Sequence, residues 1–181
     1  LGSGTVFLGA RLDSYHGFSN GVSSRISPRV AYVQELAPGV SAKFIYGEAY
    51  RAPTVYESRY QDGMPAASTI WANGQLRPEL SRSLEALLIA HSASGVQWRL
   101  SGFFKQLRDT PVQVPTPQVN GINCGLGPTG CIQYQNFPGH QSVAGAELDV
   151  RVRQGDRGDF YASLVLQRGG GVGGELASSP R

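Results

Sequence analysis

The sequence predicts an all-β protein, a fragment of a transmembrane antiparallel β-barrel built from about seven long up-and-down strands. Three observations predict it. Apolar and polar residues alternate with period two over unusually long segments. The cleanest of these segments each have one uncharged face. The connections between segments alternate strictly between long and short.

The first strand falls at 5–13, with Val6, Leu8, Ala10 and Leu12 on one face and Thr5, Phe7, Gly9, Arg11 and Asp13 on the other. Residues two apart share a face of a strand, so one side is apolar and the other polar or charged. Less regular alternation follows at 25–36, 40–51 and 79–91. From Val96 the pattern is clean again: Val96, Trp98, Leu100, Gly102 and Phe104 oppose Gln97, Arg99, Ser101, Phe103 and Lys105. The segment 144–153 is the clearest, with Ala144, Ala146, Leu148, Val150 and Val152 against Gly145, Glu147, Asp149, Arg151 and Arg153. Last, Phe160, Ala162, Leu164 and Leu166 oppose Asp159, Tyr161, Ser163, Val165 and Gln167. Within 80–93 the spacing of Leu84, Leu87 and Leu88 fits a helical stripe as well as alternation. Periodicity alone leaves that segment open, and its neighbours favour a strand.

Strands of ten to fourteen residues exceed the usual five or six of soluble proteins and match the roughly 9–11 needed to cross a bilayer at a tilt. A charge facing lipid near the midplane costs about 2–4 kcal/mol for Arg or Lys, so Arg11, Asp13, Arg99, Lys105, Glu147, Asp149, Arg151 and Arg153 are expected to face a wet or protein-filled lumen. The connections run 14–24, 37–39, 52–78, 92–94, 109–139 and 154–158, or eleven, three, twenty-seven, three, thirty-one and five residues. Barrels of the outer-membrane type have short periplasmic turns and long extracellular loops, which produces this rhythm. Pro38-Gly39, Ser94-Gly95 and Arg157-Gly158 supply the tight turns, and Trp98 and Phe160 follow short turns on the apolar face, where an interfacial girdle belongs.

Composition narrows the function classes. Charged residues are only 16% of the 181, and the 24 glycines are nearly twice the usual share. The longest aliphatic run, Leu87-Leu88-Ile89, is far too short for a membrane helix. A net charge of +3 is spread along the chain with no basic block, so nucleic acid is not an expected partner. His16, His91 and His140 lie far apart, and no nucleophile, phosphate-loop or zinc spacing is present, so neither enzyme activity nor a cofactor or metal is expected. Cys124 and Cys131 sit in a Gly/Pro/Asn-rich stretch of the second long connection. Their spacing suits a small disulfide loop in an oxidising compartment, with two free thiols as the other reading.

A series of motifs is more specific. Ser27-Pro28-Arg29 is followed by Tyr46-Gly47-Glu48-Ala49-Tyr50-Arg51-Ala52-Pro53-Thr54 and Glu57, then by Asn73-Gly74-Gln75-Leu76-Arg77-Pro78-Glu79. Ser83-x-Glu85, Gly102-Phe103-Phe104, Asn136 and Gly145-x-Glu147 complete it. In this order, over roughly 5–168, the series resembles the barrel of TonB-dependent outer-membrane receptors, with Tyr50 where Phe is commoner. The resemblance implies a 22-stranded barrel around an N-terminal plug, energised by the inner-membrane TonB complex. Its usual cargo is a scarce large ligand such as a ferric siderophore, haem or cobalamin. On that reading residues 1–181 are about a third of a barrel domain, with no plug and no signal peptide among them, lying in the Gram-negative outer membrane against lipid. Its partners are then its own plug, the TonB complex and an iron chelate. The loops 52–78 and 109–139 are the expected ligand-facing segments, with Tyr56, Arg59, Tyr60, Trp71 and Tyr134 as candidate contacts. Two rival readings are a passive porin and a soluble β-sandwich adhesion or carbohydrate-binding module.

Overall fold

In the computed structural model seven long strands form one continuous antiparallel sheet. Residues 2–15, 24–62, 70–116, 118–119, 122–123, 131–153, 155 and 158–172 are described. The long strands are β1 (Gly4–Ser14), β2 (Ser24–Ala37), β3 (Val40–Arg51), β5 (Glu79–His91), β6 (Val96–Arg108), β11 (His140–Arg153) and β12 (Asp159–Val172), paired in that order. Each is antiparallel to the next in the sheet, and the sheet is an open section of wall with β1 and β12 at its edges.

Residues 79–91 are strand along their whole length, paired with β3 on one side and β6 on the other. Ladder hydrogen bonds on both edges decide between the two periodicities that the leucines allow.

The register places all apolar stripes on one side. Directly opposed residues of an antiparallel pair share a face. Phe44 opposes Ala86, Ala86 opposes Gly102, Gly102 opposes Ala146 and Ala146 opposes Leu166. A second such row runs from Leu88 through Leu100 and Leu148 to Leu164. Among the described residues none covers this face: Leu8 is 79% exposed, and Phe44, Leu84, Trp98 and Leu166 are exposed too. So many bare apolar side chains in one patch mark a surface made for lipid. The opposite face carries Arg11, Arg99, Glu147, Asp149 and Arg151.

Pro38-Gly39 turns β2 into β3, with Gly39 at φ 76°, and Gly95 at φ 83° turns β5 into β6. Glycine reaches this left-handed region without strain. Space demands it as well, since a Cβ on Gly39 would lie 2.8 Å from the His91 carbonyl oxygen and one on Gly95 2.6 Å from that of Arg153. The Gly39 carbonyl accepts from His91 N–H at 2.7 Å, and the Gly95 carbonyl from Arg153 N–H at 3.0 Å.

The long connections, expected as loops, contain secondary structure of their own. In 52–78 lie helix α1 (Val55–Arg59) and strand β4 (Ile70–Trp71). In 109–139 lie β7 (Pro111–Thr116), β8 (Gln118–Val119), β9 (Ile122–Asn123) and β10 (Cys131–Asn136). β10 pairs antiparallel with β7 and parallel with β4, so a small three-stranded sheet joins the two loops. Around it lie the buried apolar side chains Trp71, Leu76, Val119, Cys131 and Phe137.

Candidate functional site

The motif residues at the top of β3 build a rigid exit from the wall. Pro53, which cannot donate to a ladder, follows the last strand residues. Thr54 then caps α1: its hydroxyl accepts from Glu57 N–H at 3.1 Å, while its own N–H donates to the Glu57 carboxylate at 2.7 Å. This reciprocal capping box satisfies two orphan donors of the helix start. Arg51 grips the same Glu57 carboxylate, its closest hydrogen bond 2.9 Å, and lies 3.8 Å from Glu79 at the foot of β5. Burial opposes ionisation of Glu57, but the hydrogen bonds from Arg51 and Thr54 outweigh it and hold its carboxyl below the ordinary range. Arg51, Glu57 and Glu79 are thus fasteners of the loop base.

The second motif series joins the two loops. Asn73 donates to the Tyr134 carbonyl at 2.7 Å and accepts from Gln75 N–H at 3.0 Å. Asn136 acts as a substitute strand partner for Arg77, accepting its N–H at 2.7 Å and donating to its carbonyl at 2.8 Å. The same amide donates to the Asp109 carbonyl at 2.6 Å. Asp109 sits at φ 55°, in the left-handed region, and its carboxylate pairs with Arg77 at 2.6 Å. The sequence reading missed Asp109 and Gln133, whose amide donates to the Ala72 carbonyl at 3.2 Å. An aspartate just before Thr110-Pro111 was a usable turn signal for Asp109; nothing local marks Gln133.

Three of the five candidate contacts come together on this joined body. Tyr56 and Tyr60, one helical turn apart, stack with centroids 4.5 Å apart. The Tyr134 ring meets Tyr56 edge-on at 6.2 Å, and its hydroxyl accepts from the Gln113 amide at 2.8 Å. Tyr56 and Tyr60 are exposed, and Arg59 lies exposed on the same helix. The Tyr60 phenol is raised above its ordinary pKa chiefly by hydrogen bonding to Asp62. Asp62 is lowered by that bond and by the Ile70 N–H.

Trp71 is a correction. Expected to face ligand, it is only 6% exposed and packs with Val119 and Cys131 in the core of the loop body. An aromatic in a polar loop looked like a contact, but it is the largest side chain available to a domain with almost no other core. Cys131 is buried and disulfide-bonded; Cys124 lies outside the described residues.

The lumen side of β6, β11 and β12 carries a charged network. Arg99 donates to Asp149 at 2.6 Å and reaches Glu147 at 3.2 Å, and the Tyr161 hydroxyl donates to Asp149 at 2.6 Å. Arg151 pairs with Asp159. Arg99, Asp149, Arg151, Asp159 and Tyr161 border a concavity of about 370 Å³. Gly145 is the bare spot that lets this wall pack: a Cβ there would lie 2.6 Å from the Phe103 ring and 2.6 Å from the Leu166 carbonyl oxygen. Glu147 is part of the charged network, and Tyr46 donates to Glu48 at 2.6 Å beside Gly47, whose position faces Ser83 and Arg29.

A sheet with one bare apolar face, one charged face and its structured loops gathered at one end is the wall of a membrane β-barrel. The model of the TonB dependent receptor-like β-barrel family matches residues 3–181, and the chain belongs to that family. No curated protein sequence matches it. Among solved structures, a variant of the ferric enterobactin receptor PfeA from Pseudomonas aeruginosa, in complex with enterobactin, gives a TM-score of 0.71 over 91% of this chain at 20% identity. The siderophore receptor PirA from Acinetobacter baumannii gives 0.66 over 85% at 23% identity, and the FrpB iron transporter from Neisseria meningitidis 0.64 over 93% at 16%. The chain spans about a quarter of each of these proteins, 24% in all three cases.

Proposed function

We propose that this chain is a wall-and-loop section of an outer-membrane receptor that takes up a ferric siderophore, working with a plug held in the lumen and with the TonB complex. The observation that carries the reading is the aromatic cluster of Tyr56, Tyr60 and Tyr134. It stands on two long loops that the Asn73 and Asn136 hydrogen bonds join into one body. Preorganised aromatic faces bind a large planar or ring-bearing chelate at low entropic cost. The charged lumen face offers the plug ion-pairing groups near the short turns. Iron-chelate receptors of known structure share this fold, which supports the cargo class.

The test uses the full-length receptor in intact cells, where radio-iron chelate uptake should depend on TonB. Replacing both Tyr56 and Tyr134 by Ala should weaken chelate binding by about 10-fold or more, taking roughly 0.5–1.5 kcal/mol per lost aromatic contact. An epitope inserted at Gly63 should be reached by antibody outside the cell, and one at Pro38-Gly39 should not. Entry that persists without TonB would mark a passive channel and overturn the proposal.

A further inference from the structure

The membrane-facing side of the wall is not evenly filled. Between β3, β5 and β6 it holds a groove of about 440 Å³, almost wholly apolar. Phe44, Tyr46, Leu84 and Phe104 wall it, and Ala86 and Gly102 leave its floor low. Following the same face toward the loop end, the next positions are Glu48, Arg82 and Gln106, which the register sets side by side. Arg108 comes one step further. The apolar band ends at this line, since below it every membrane-facing residue of β5 and β6 is apolar or glycine.

The charges at the line do not cancel. The Glu48 carboxylate is taken up by the Tyr46 hydroxyl, by Arg82 Nε at 2.9 Å and by Arg25 at 3.8 Å. Arg108 donates its Nε to Gln106 at 2.9 Å, and among the described residues no carboxylate lies within ion-pair distance of it. Two arginines therefore share one acid and Arg108 stands one step beyond them, with Arg82 and Arg108 on the membrane-facing side of the sheet. Guanidinium groups at a lipid interface are stabilised by a bidentate oxyanion, and phosphate suits their planar fork. A basic rim directly above an apolar slot has the polarity of a phospholipid: charged head outward, chain inward.

We propose that this site holds one phosphorylated lipid of the outer leaflet, its phosphate on Arg82 and Arg108 and an acyl chain lying over Ala86 and Gly102. The proposal rests on the chain being a membrane wall with its long loops outside the cell. The bound lipid fills a depression that would otherwise leave Phe44 and Phe104 poorly packed, and it neutralises the rim.

The experiment is native mass spectrometry of the full-length receptor released from outer membranes in mild detergent. Wild type should carry one phosphorylated lipid. The Arg82→Gln/Arg108→Gln double variant should lose it about tenfold, or about 1.4 kcal/mol. If that pair fails to show the heat-shifted gel mobility of a folded barrel, Arg108→Gln alone supplies the reading. Ala86→Leu/Gly102→Leu should also expel the lipid with the arginines intact; a Cβ on Gly102 has room, its nearest neighbour being the Gly145 carbonyl oxygen at 3.9 Å. Wild-type retention in both sets, equal retention of a dephosphorylated form of the same lipid, or a second receptor copy in place of a lipid would each overturn the proposal. Chelate uptake by the same cells reads the receptor function separately, so loss of one does not imply loss of the other.

Discussion

The wall and the loop body bury opposite things. Among the described residues the buried hydrophobic side chains, from Trp71 to Phe137, all belong to the long loops, whereas the wall's most covered residues are Ser27 and Asp149. The wall leaves Leu8, Phe44 and Leu166 bare and is held by strand ladders, with lipid as its apolar solvent. The loop body stands in water and needs a small conventional core, stapled by a disulfide at Cys131 and by side chains that imitate backbone. One chain thus follows two solvents, and the boundary between them runs near Arg51, Glu79 and Arg108.

This contrast breaks most sharply at the middle of the wall. Leu148→Arg in the full receptor puts a charge toward lipid opposite Leu100 and Leu164 and is expected to cost about 2–4 kcal/mol. Asp149→Asn, one residue away but facing the lumen, keeps an acceptor for Tyr161 and should cost about 1 kcal/mol. Urea unfolding in lipid vesicles measures both, and equal losses would remove the distinction between the faces.

Next in size is the staple. Thiol labelling of denatured, unreduced receptor should find neither Cys124 nor Cys131, and reduction should loosen the loop body by about 2–3 kcal/mol while the wall keeps its heat-shifted mobility. Stoichiometric labelling of both thiols would show an unstapled loop. Asn136→Ala removes three hydrogen bonds to the main chain of Arg77 and Asp109. It should cost the loop body about 1–3 kcal/mol, seen as faster hydrogen exchange in both loops together. Exchange confined to 109–139 would mean that the loops are not coupled.

The smallest effect is that of pH on the loop base. Because the Glu57 carboxyl is held below its ordinary range, its contribution is complete above that range and is lost as pH falls through the lowered value. Protease sensitivity at 52–62 should therefore be flat near neutrality and rise only in acid, and Glu57→Gln should remove the acid limb. A rise beginning near neutral pH would point to a different group.

Strand positions were legible because a half-buried strand repeats every two residues, and lipid extends that repeat across a bilayer. Residues 40–51 and 79–91 are strands over those same bounds. The interior of the loops was not legible. The parallel pairing of Ile70 with Ile132 joins the two-residue β4 to β10 far along the chain, and two residues are too short to show any period. The motif asparagines were visible as a pattern, but their role as stand-ins for backbone emerges only when Asn136 is brought against Arg77. For the same reason Trp71 read as a contact and proved to be core, while the meeting of Tyr134 with Tyr56 had no local signature.

The turn glycines have a consequence for how such a wall is made. Gly39 offers its carbonyl to the end of β5, and Gly95 offers its carbonyl to the end of β11, so each hairpin presents the same docking point to the strand that arrives next. A wall assembled this way can be extended by adding one more hairpin to the growing edge, with no redesign of those already in place. On this geometry strands are added to the edge two at a time, each pair bringing its own left-handed glycine.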